Sequence, residues 1–389
     1  MMIIARILLA IVILLIVLYA SSPLYLPGID KRVNKIDKKS DYSGTKEALD
    51  FHSTLFITDL HADPLFSYRN LLKSSGTGHM DIPRLIDGNI RLQVFGTPTL
   101  IPMSANVDRN DQKFELGGFL AFLQHWPVNT WYSRKNRALY QQKKLHDLER
   151  ESKGVFKIIK TAEELEEYYH RSKTKPDSTA GLLALEGAHV MKNIPEDIDQ
   201  LFDRGFRIIG VTHLTDNHLG GSAHGVDKGG LTEFGKKALK RMEELSMIID
   251  LAHASPELME DVLSIFSGRV MVSHTGVKGC INNNRNLTDQ QILAIASKGG
   301  LIGIGFWEEA VGDKGAVSIV NAIKYTADLV GIKHVALGSD FDGGVTVPFD
   351  AAGMVQITEE LMKRGFSTEE IRRIMGQNAL DFLLQALPK

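Results

Sequence analysis

Short apolar runs alternate with amphipathic stretches along the chain from residue 55 onward. Each run is continuous and is bounded by Gly or by polar residues, which is typical of parallel strands buried on both faces of a sheet. The stretches between them repeat their apolar positions at helical spacing. Eight runs fit strands: 55–60, 90–95, 181–185, 207–212, 247–251, 270–273, 301–305 and 335–338. Five stretches fit helices: 195–204, 232–245, 256–266, 288–297 and 317–330.

Eight strands that alternate with helices predict an α/β fold, a (β/α)8 TIM barrel over residues 51–389, with a doubly wound open sheet as the alternative. Residues 100–180 break the rhythm because they are far too long for a single strand-to-helix connection. We predict a largely helical insertion after strand 2, which shapes the cleft or supplies a homodimer contact. Its expected parts are a loop at 102–109, helices at 113–124, 134–152 and 163–171, and a minor strand at 155–160.

The first residues differ from everything that follows. Residues 7–20 are unbroken apolar sequence after Arg6, a length that fits the hydrophobic part of a signal peptide and approaches the ~20 residues that span a bilayer. We assign residues 1–22 to a signal peptide or membrane anchor, and residues 23–50 to a polar linker with an entry helix. Cations between residues 31 and 39 favour a cytoplasmic domain, and Arg6 favours the opposite. We expect an extracytoplasmic, periplasmic catalytic domain.

Composition excludes several classes of function. With a net charge of −2, the 389-residue chain has no basic field that would attract nucleic acid. Its one cysteine, Cys280, excludes an intramolecular disulfide and a cysteine-based zinc cluster. Candidate chemistry therefore rests on the 13 histidines and on the carboxylates.

Ionisable side chains stand where the apolar runs end. His61 and Asp63 lie two residues apart, so in an extended chain they point to the same side. Later runs end in Glu186, His213, His253, His274 and Asp340. In a barrel these ends meet at one face, where active sites lie. Burial of so many ionisable groups would be very costly without metal or catalytic partners.

The residue types at these ends fit divalent metal ions such as zinc. There are more candidate ligands than the three protein ligands that one catalytic zinc usually takes, so they fit two adjacent metals with a bridging carboxylate. No run ends in a lysine that could be carboxylated as a bridge, which makes Glu186 the best candidate. Two metals would lower the pKa of a shared water toward neutrality. The predicted ligands are His61, Asp63, Glu186, His253 and His274.

A set of motifs occurs in one order along the chain: Asp59-Leu-His-Ala-Asp63, Leu185-Glu-Gly-Ala-His189, Thr212-His213, Ile249-Asp-Leu-Ala-His253, Ser273-His274, Arg285-Asn286 and Gly338-Ser-Asp-Phe-Asp-Gly343. In combination they resemble the membrane (renal-type) dipeptidases, and the bacterial members in particular. These are zinc peptidases on the barrel of the metal-dependent amidohydrolases. The resemblance runs from about residue 55 to the C-terminus and is weakest at 100–180.

The resemblance implies a metallo-dipeptidase that cleaves the peptide bond of dipeptides through a water or hydroxide bridging two zinc ions. Carried over by position, His61 and Asp63 would bind one zinc, His253 and His274 the other, and Glu186 both. It also implies that His213 polarises the scissile carbonyl and steadies the oxyanion. Arg285 would bind the C-terminal carboxylate of the substrate, for which a guanidinium fork is suited. Asp340 would carry the proton from the water to the leaving amine.

Some features depart from the family. Its mammalian members carry disulfides and a C-terminal lipid anchor, whereas this chain has one cysteine and an apolar N-terminal segment. We expect His189, His218 and His224 to contact ligands or substrate, or to be structural, rather than to be sixth ligands. Asp342 is expected to hold a neighbouring side chain in place.

Two other functions fit the same residues. One is a related binuclear amidohydrolase that acts on another amide or on a lactone, because the barrel hosts many substrates. The other is an inactive membrane-tethered binding protein, although every expected ligand is present.

Overall fold

The computed structural model describes residues 2–37, 44–103 and 105–389. Within them the strands are β1 (Lys35–Ile36), β2 (Ile57–Ala62), β3 (Ile90–Phe95), β4 (Phe156–Ile158), β5 (Thr179–Leu185), β6 (Phe206–Gly210), β7 (Ile248–Asp250), β8 (Val270–Thr275), β9 (Leu301–Ile304), β10 (Val335–Leu337) and β11 (Thr346–Val347). The helices of the first half are α1 (Met2–Val33), α2 (Lys46–His52), α3 (Ile82–Asp87), α4 (Gly117–Leu123), α5 (Val128–Trp131), α6 (Arg134–Glu151), α7 (Ala162–Ser172) and α8 (Glu196–Asp203). Those of the second half are α9 (Glu233–Glu244), α10 (Pro256–Ile265), α11 (Asp289–Ser297), α12 (Glu308–Val311), α13 (Ala316–Val330), α14 (Val355–Lys363), α15 (Thr368–Arg372) and α16 (Asn378–Ala386).

Eight parallel strands close into a barrel, which confirms the predicted (β/α)8 fold. The strand order runs β3-β2-β10-β9-β8-β7-β6-β5, and β3 pairs with β5 to complete the ring. All eight predicted strands are present, with ends within a few residues of the predicted ones. One apolar cluster takes a side chain from each barrel strand and extends to α7 and α16, and a larger one joins the strands to the surrounding helices.

The predicted insertion lies between β3 and β5. It forms α4, α5, α6 and α7, and its minor strand β4 pairs in parallel with β5 outside the ring. Its first helix begins at Gly117 rather than at residue 113. The reason is that the preceding residues pair with residues 101–103 instead: Pro102 bridges Glu115, and the Leu116 N–H donates to the Ile101 carbonyl.

The linker prediction for residues 23–33 is wrong, because α1 continues through Pro23 and Pro27 to Val33. Ser22, Leu26 and Asp30 are buried in this half of the helix. Their four-residue spacing places them on one face, so packing against the domain stabilises a helix that the sequence alone does not favour. Then β1 pairs with β11, and the expected entry helix is α2, while residues 38–43 lie outside the described part of the chain.

Among the described residues, one helix is long and apolar enough to cross a membrane. An 18-residue window of α1 has a mean hydropathy of 3.0, and none of it is buried. A signal sequence near the N-terminus passes the same test of length and composition.

Candidate functional site

The carboxyl ends of the barrel strands bring the predicted ligands together. His61 lies within β2 and Asp63 directly after it, Glu186 follows β5, and His274 lies within β8. His253 lies three residues beyond β7. All five side chains are at most 8% exposed. Their convergence is a consequence of the barrel, since these residues are far apart in sequence.

One carboxylate oxygen lies at the centre of the cluster. The Oε1 atom of Glu186 lies 3.3 Å from the Nε2 of His61 and 3.4 Å from that of His253. The Nε2 atoms of His213 and His274 lie 3.5 and 3.8 Å away. Four imidazoles, each within or just beyond a different strand, thus surround a single buried carboxylate.

Several of these atoms fit a metal ion better than they fit one another. Buried polar atoms without a hydrogen-bond partner among the described residues include His61 Nε2, Asp63 Oδ1 and Glu186 Oε2. The described residues contain three groups in which the possible ligand atoms all lie within 4.8 Å of one another. These groups are His61, Glu186 and His274; Glu186, His213 and His253; and His61, Asp63 and Asp340. Unpartnered imidazole nitrogens and carboxylate oxygens are the atoms that zinc takes as ligands. The donor set therefore fits divalent metal.

Burial dominates the electrostatics of the site. It raises the pKa of Glu186 to about 8, and it lowers the pKa values of His213, His253 and His274 well below the usual range. For His61 burial also opposes the charged form, but the carboxylates of Asp63 and Glu186 raise its pKa well above the usual value. Neutral imidazole is the form of histidine that binds metal.

Asp340 stands beside the cluster in a strained conformation. Its φ is +62°, a left-handed value that non-glycine residues rarely adopt, and His253 has a φ of +63°. Such strain persists where surrounding structure enforces it, often at functional sites. Burial, the largest influence, and the nearby Asp63 raise the pKa of Asp340 to about 7, against the lowering effect of His61.

A buried Asp–Ser pair orients the imidazole of His274. The Ser273 hydroxyl donates to Asp250 Oδ2 at 2.5 Å and lies 2.9 Å from His274 Nδ1. Because that hydroxyl hydrogen is committed to Asp250, the serine oxygen can accept from Nδ1–H. The Nε2 atom of His274 then keeps its lone pair for a metal. Asp250 also accepts from the Ser273 N–H.

Other supporting residues were not predicted from the sequence. Asp59 accepts from the Ser339 N–H and hydroxyl at 2.7 and 2.6 Å, which joins the end of β2 to the segment before Asp340. Gly96 follows β3, and a Cβ there would lie 2.2 Å from Asp63 Oδ1. For part of this set the sequence carries a signal, an Asp or Ser within three residues of a predicted histidine ligand: Asp59 near His61, Asp250 near His253, and Ser273 beside His274.

Arg285 lies at the same end of the barrel, fully within the protein. One of its terminal nitrogens donates to the His274 carbonyl at 2.5 Å, and its guanidinium lies 5.5 Å from the centre of the Trp307 ring. Burial lowers the pKa of Arg285 to about 10, and the carboxylates of Asp340, Asp250 and Glu186 act against that shift. The predicted substrate residue is therefore a buried cation close to the cluster.

Asp342 contacts Arg69 and His79, and through Arg69 it links the site to α1. It is paired with Arg69 and accepts from the His79 N–H at 2.6 Å. The Nε of Arg69 lies 3.1 Å from Asp30 in α1. The loop that carries Asp340 is thus tied through Arg69 to the last turns of the N-terminal helix.

The three histidines without a predicted ligand role, His189, His218 and His224, differ in position. The ring of His224 lies 5.2 Å from that of His253, with its Nδ1 2.7 Å from the Val107 carbonyl. His189 is buried with its Nε2 2.9 Å from the Thr215 hydroxyl. His218 is exposed and packs edge-on to Phe234. None of these three histidines belongs to the candidate metal-binding groups found among the described residues.

Fold and site together define a (β/α)8-barrel protein with a cluster of histidines and carboxylates, suited to divalent metal, at the carboxyl ends of its strands. Comparison with known proteins then gives the family. The membrane dipeptidase family (peptidase family M19) matches residues 45–386, and the chain belongs to it. Membership implies bound metal ions, since this is a family of metallopeptidases.

Two curated relatives match part of the chain. Dipeptidase verJ of Clonostachys rogersoniana is 27% identical over 263 residues, which cover 65% of this chain and 66% of that protein. The uncharacterized dipeptidase C3A11.10c of Schizosaccharomyces pombe is 29% identical over 231 residues, covering 54% of this chain and 55% of its own length. The chain thus spans less than two thirds of either relative.

Solved structures share the fold over nearly their whole length. The dipeptidase AC, a metallopeptidase of family M19, superimposes with a TM-score of 0.73 at 22% identity, covering 86% of this chain and 100% of that one. A metallopeptidase from Rhodobacter sphaeroides, solved with a phosphinate mimic of the dipeptide L-Ala-D-Ala, gives 0.71 at 22% identity, with coverage of 86% and 99%.

Proposed function

We propose that this protein is a binuclear zinc dipeptidase, anchored in a membrane by α1. The observation that carries the proposal is the arrangement around Glu186, whose Oε1 has four imidazole Nε2 atoms within 3.8 Å. A carboxylate so placed fits a bridge between two metal ions. Membership of the dipeptidase family supports the same activity.

The proposed ligands divide into two sets that share the bridge. His61 and Asp63 would hold one zinc, and His253 and His274 would hold the other, with Glu186 shared by the two sets. Bound zinc supplies Lewis acidity, which lowers the pKa of an attacking water toward neutrality. The structure supports this set through the unpartnered buried atoms of His61, Asp63 and Glu186.

The protein's own groups perform the remaining steps. Asp340, grouped with His61 and Asp63, takes the proton of the attacking water and delivers it to the leaving amine. His213, whose Nε2 lies 3.5 Å from Glu186, donates to the carbonyl oxygen as charge develops on it. Arg285 holds the C-terminal carboxylate of the dipeptide in a bidentate contact. This contact positions the scissile bond relative to the groups that act on it.

The function is tested with a panel of dipeptides that have free or amidated C-termini, together with metal analysis. We expect about two zinc ions per chain and much faster hydrolysis of the free dipeptides. Arg285→Met should raise KM for free dipeptides and abolish the discrimination. Arg207→Met is the matched control, because Arg207 is also buried but binds backbone carbonyls at the opposite end of a barrel strand. Equal hydrolysis of both substrate forms by the unmodified protein would refute the role of Arg285.

The anchor is proposed to be retained rather than cleaved. Tyr19 stacks on His125 with ring centres 3.9 Å apart, and Ser22, Leu26 and Asp30 of the same helix are buried. Cleavage near Ala20 would remove the Tyr19 contact. The intact mass of the protein purified from membranes should therefore include residues 2–20.

The proposed orientation and homodimer need separate tests. Reporter fusions at the C-terminus, active on only one side of the membrane, should report an extracytoplasmic domain. Activity of the cytoplasmic reporter alone would contradict that orientation. Light scattering in detergent tests the homodimer that the long insertion suggests.

A further inference from the structure

The helix α1 consists of two parts with different surroundings. Residues 2–17 are exposed throughout, whereas Ser22, Leu26 and Asp30 are buried against the domain. At a rise of about 1.5 Å per residue the 18-residue apolar window measures about 27 Å, close to the thickness of a bilayer's hydrocarbon core. If this window spans a bilayer, as proposed above, the surface of that bilayer lies close to Tyr19 and Ser22.

The insertion contacts α1 at this level. The Tyr19 ring stacks on His125 and lies 5.1 Å from the ring of Phe122 in α4. The Ser22 hydroxyl lies 3.0 Å from His125 Nε2. The start of the insertion is therefore held at the point where α1 leaves the domain. For an α1 that spans the bilayer, this point lies at the level of the lipid headgroups.

The same part of the insertion exposes large apolar side chains. Phe119 stacks on Phe122 with ring centres 6.1 Å apart and is 44% exposed. Trp131 meets Phe122 edge-on at 5.1 Å, and its neighbour Tyr132 is 77% exposed. We call the whole set the α4–α5 surface: Met103, Phe114, Phe119, Val128 and Tyr132.

These exposed side chains are concentrated rather than scattered. Outside α1, ten large hydrophobic residues are exposed in the described part of the chain, and five of them fall within residues 103–132. The aromatic ones among those ten, Phe114, Phe119 and Tyr132, all belong to the α4–α5 surface. Isolated exposed apolar residues are normal, but a concentration beside one helix marks an interaction surface.

We propose that the α4–α5 surface lies in the headgroup layer of the same bilayer that α1 crosses. The proposal rests on the anchor function proposed above. Phe and Tyr side chains at this depth keep their apolar bodies in lipid, and aromatic residues are enriched at membrane interfaces. Lipid is favoured over a second copy of the chain because Phe119 of this surface is connected, through Phe122 and Tyr19, with the spanning part of α1.

The consequence concerns the active site. The loop with Asp340 and Asp342 is tied through Arg69 to Asp30 of α1. Two attachments, the helix and the surface, would hold the barrel in one orientation relative to the membrane, whereas a single helix can still tilt in the bilayer. The carboxyl ends of the barrel strands would then stand at a constant height above the lipid.

The test uses the full chain reconstituted into phosphatidylcholine vesicles, with single-cysteine variants in a Cys280→Ser background. Phe114→Cys, Phe119→Cys and Tyr132→Cys each carry an environment-sensitive fluorophore. The matched controls are Ile265→Cys and Leu293→Cys, which replace exposed apolar residues in α10 and in α11. Lipids brominated near the headgroup should remove about half or more of the fluorescence at the three test positions and leave the controls unchanged.

A probe at Ile11→Cys separates the two proposals. Lipids brominated deep in the acyl chains should quench the probe at Ile11. If they do so while the three test positions behave like the controls, the surface proposal is overturned and the anchor proposal stands. No quenching at Ile11 would refute the anchor, and the surface proposal with it. If Phe119→Cys instead cross-links efficiently to a second copy and is insensitive to bromine, the surface is a dimer contact and not a lipid contact.

Discussion

Gly96→Ala should weaken metal binding without unfolding the protein. Gly96 follows β3, and a Cβ built on it would lie 2.2 Å from Asp63 Oδ1 and 2.9 Å from His61 Cε1. Ordinary contact begins near 3.4 Å, so the carboxylate of Asp63 must retreat by about 1.2 Å. The φ of Gly96 is not in the left-handed region, and the backbone therefore accepts alanine.

The magnitude follows from the tolerance of metal coordination. Ligand distances in metal sites hold to about 0.2 Å, so a displacement of about 1.2 Å removes Asp63 as a ligand or forces the site to rearrange. We expect affinity for the zinc assigned to His61 and Asp63 to fall by about 10- to 100-fold, or about 1.4–2.8 kcal/mol. The fold should survive because a short carboxylate can rotate away at little cost.

The assay is a zinc titration against a competing chelator, combined with metal content and thermal unfolding. Gly76→Ala is the matched control, since a Cβ at Gly76 meets nothing within 4 Å. In an Asp63→Ala background, Gly96→Ala should have a clearly smaller further effect, because the closest clash is gone and only the contact with His61 remains. Wild-type zinc affinity in Gly96→Ala, or a full additional loss in the double variant, would refute the reasoning.

Three further changes test other parts of the protein. Asp340→Asn should keep the metal content and lower kcat by about 10²- to 10⁴-fold, and undiminished turnover would remove its proton-transfer role. Ser273→Ala frees the His274 ring and should weaken zinc binding by about 10- to 100-fold, whereas Ser264→Ala, which loses only an exposed bond within a helix, should leave the affinity unchanged. His52 is buried, and burial lowers its pKa to about 4, so below pH 6.5 the unfolded chain binds the proton first and stability falls as the pH drops toward 4. By urea unfolding of the metal-free protein at pH 7 and 4.5, His52→Gln should reduce that acid sensitivity by about 2 kcal/mol; identical pH dependence would contradict this.

The barrel, and the meeting of the ionisable residues at the carboxyl ends of its strands, could be predicted from the sequence. Continuous apolar runs mark strands buried on both faces, and His61, Glu186, His253 and His274 stand at or just beyond the ends of such runs. Because a closed parallel sheet must bring all its carboxyl ends to one face, local patterns were sufficient to group residues that are more than 200 positions apart.

Tertiary structure decided what no local pattern encodes. The centring of four imidazoles on Glu186, and the Asp250–Ser273 contact that orients His274, depend on how neighbouring strands are placed in register.

The same holds at the N-terminus. Residues 23–33 contain two prolines and read as a linker, yet they are helical because Leu26 and Asp30 find buried positions against the domain. Arg69 joins Asp30 to Asp342 across about 300 residues, and a contact of that kind exists only once the chain has folded. A sequence specifies which side chains are available, whereas long-range packing determines which of them meet.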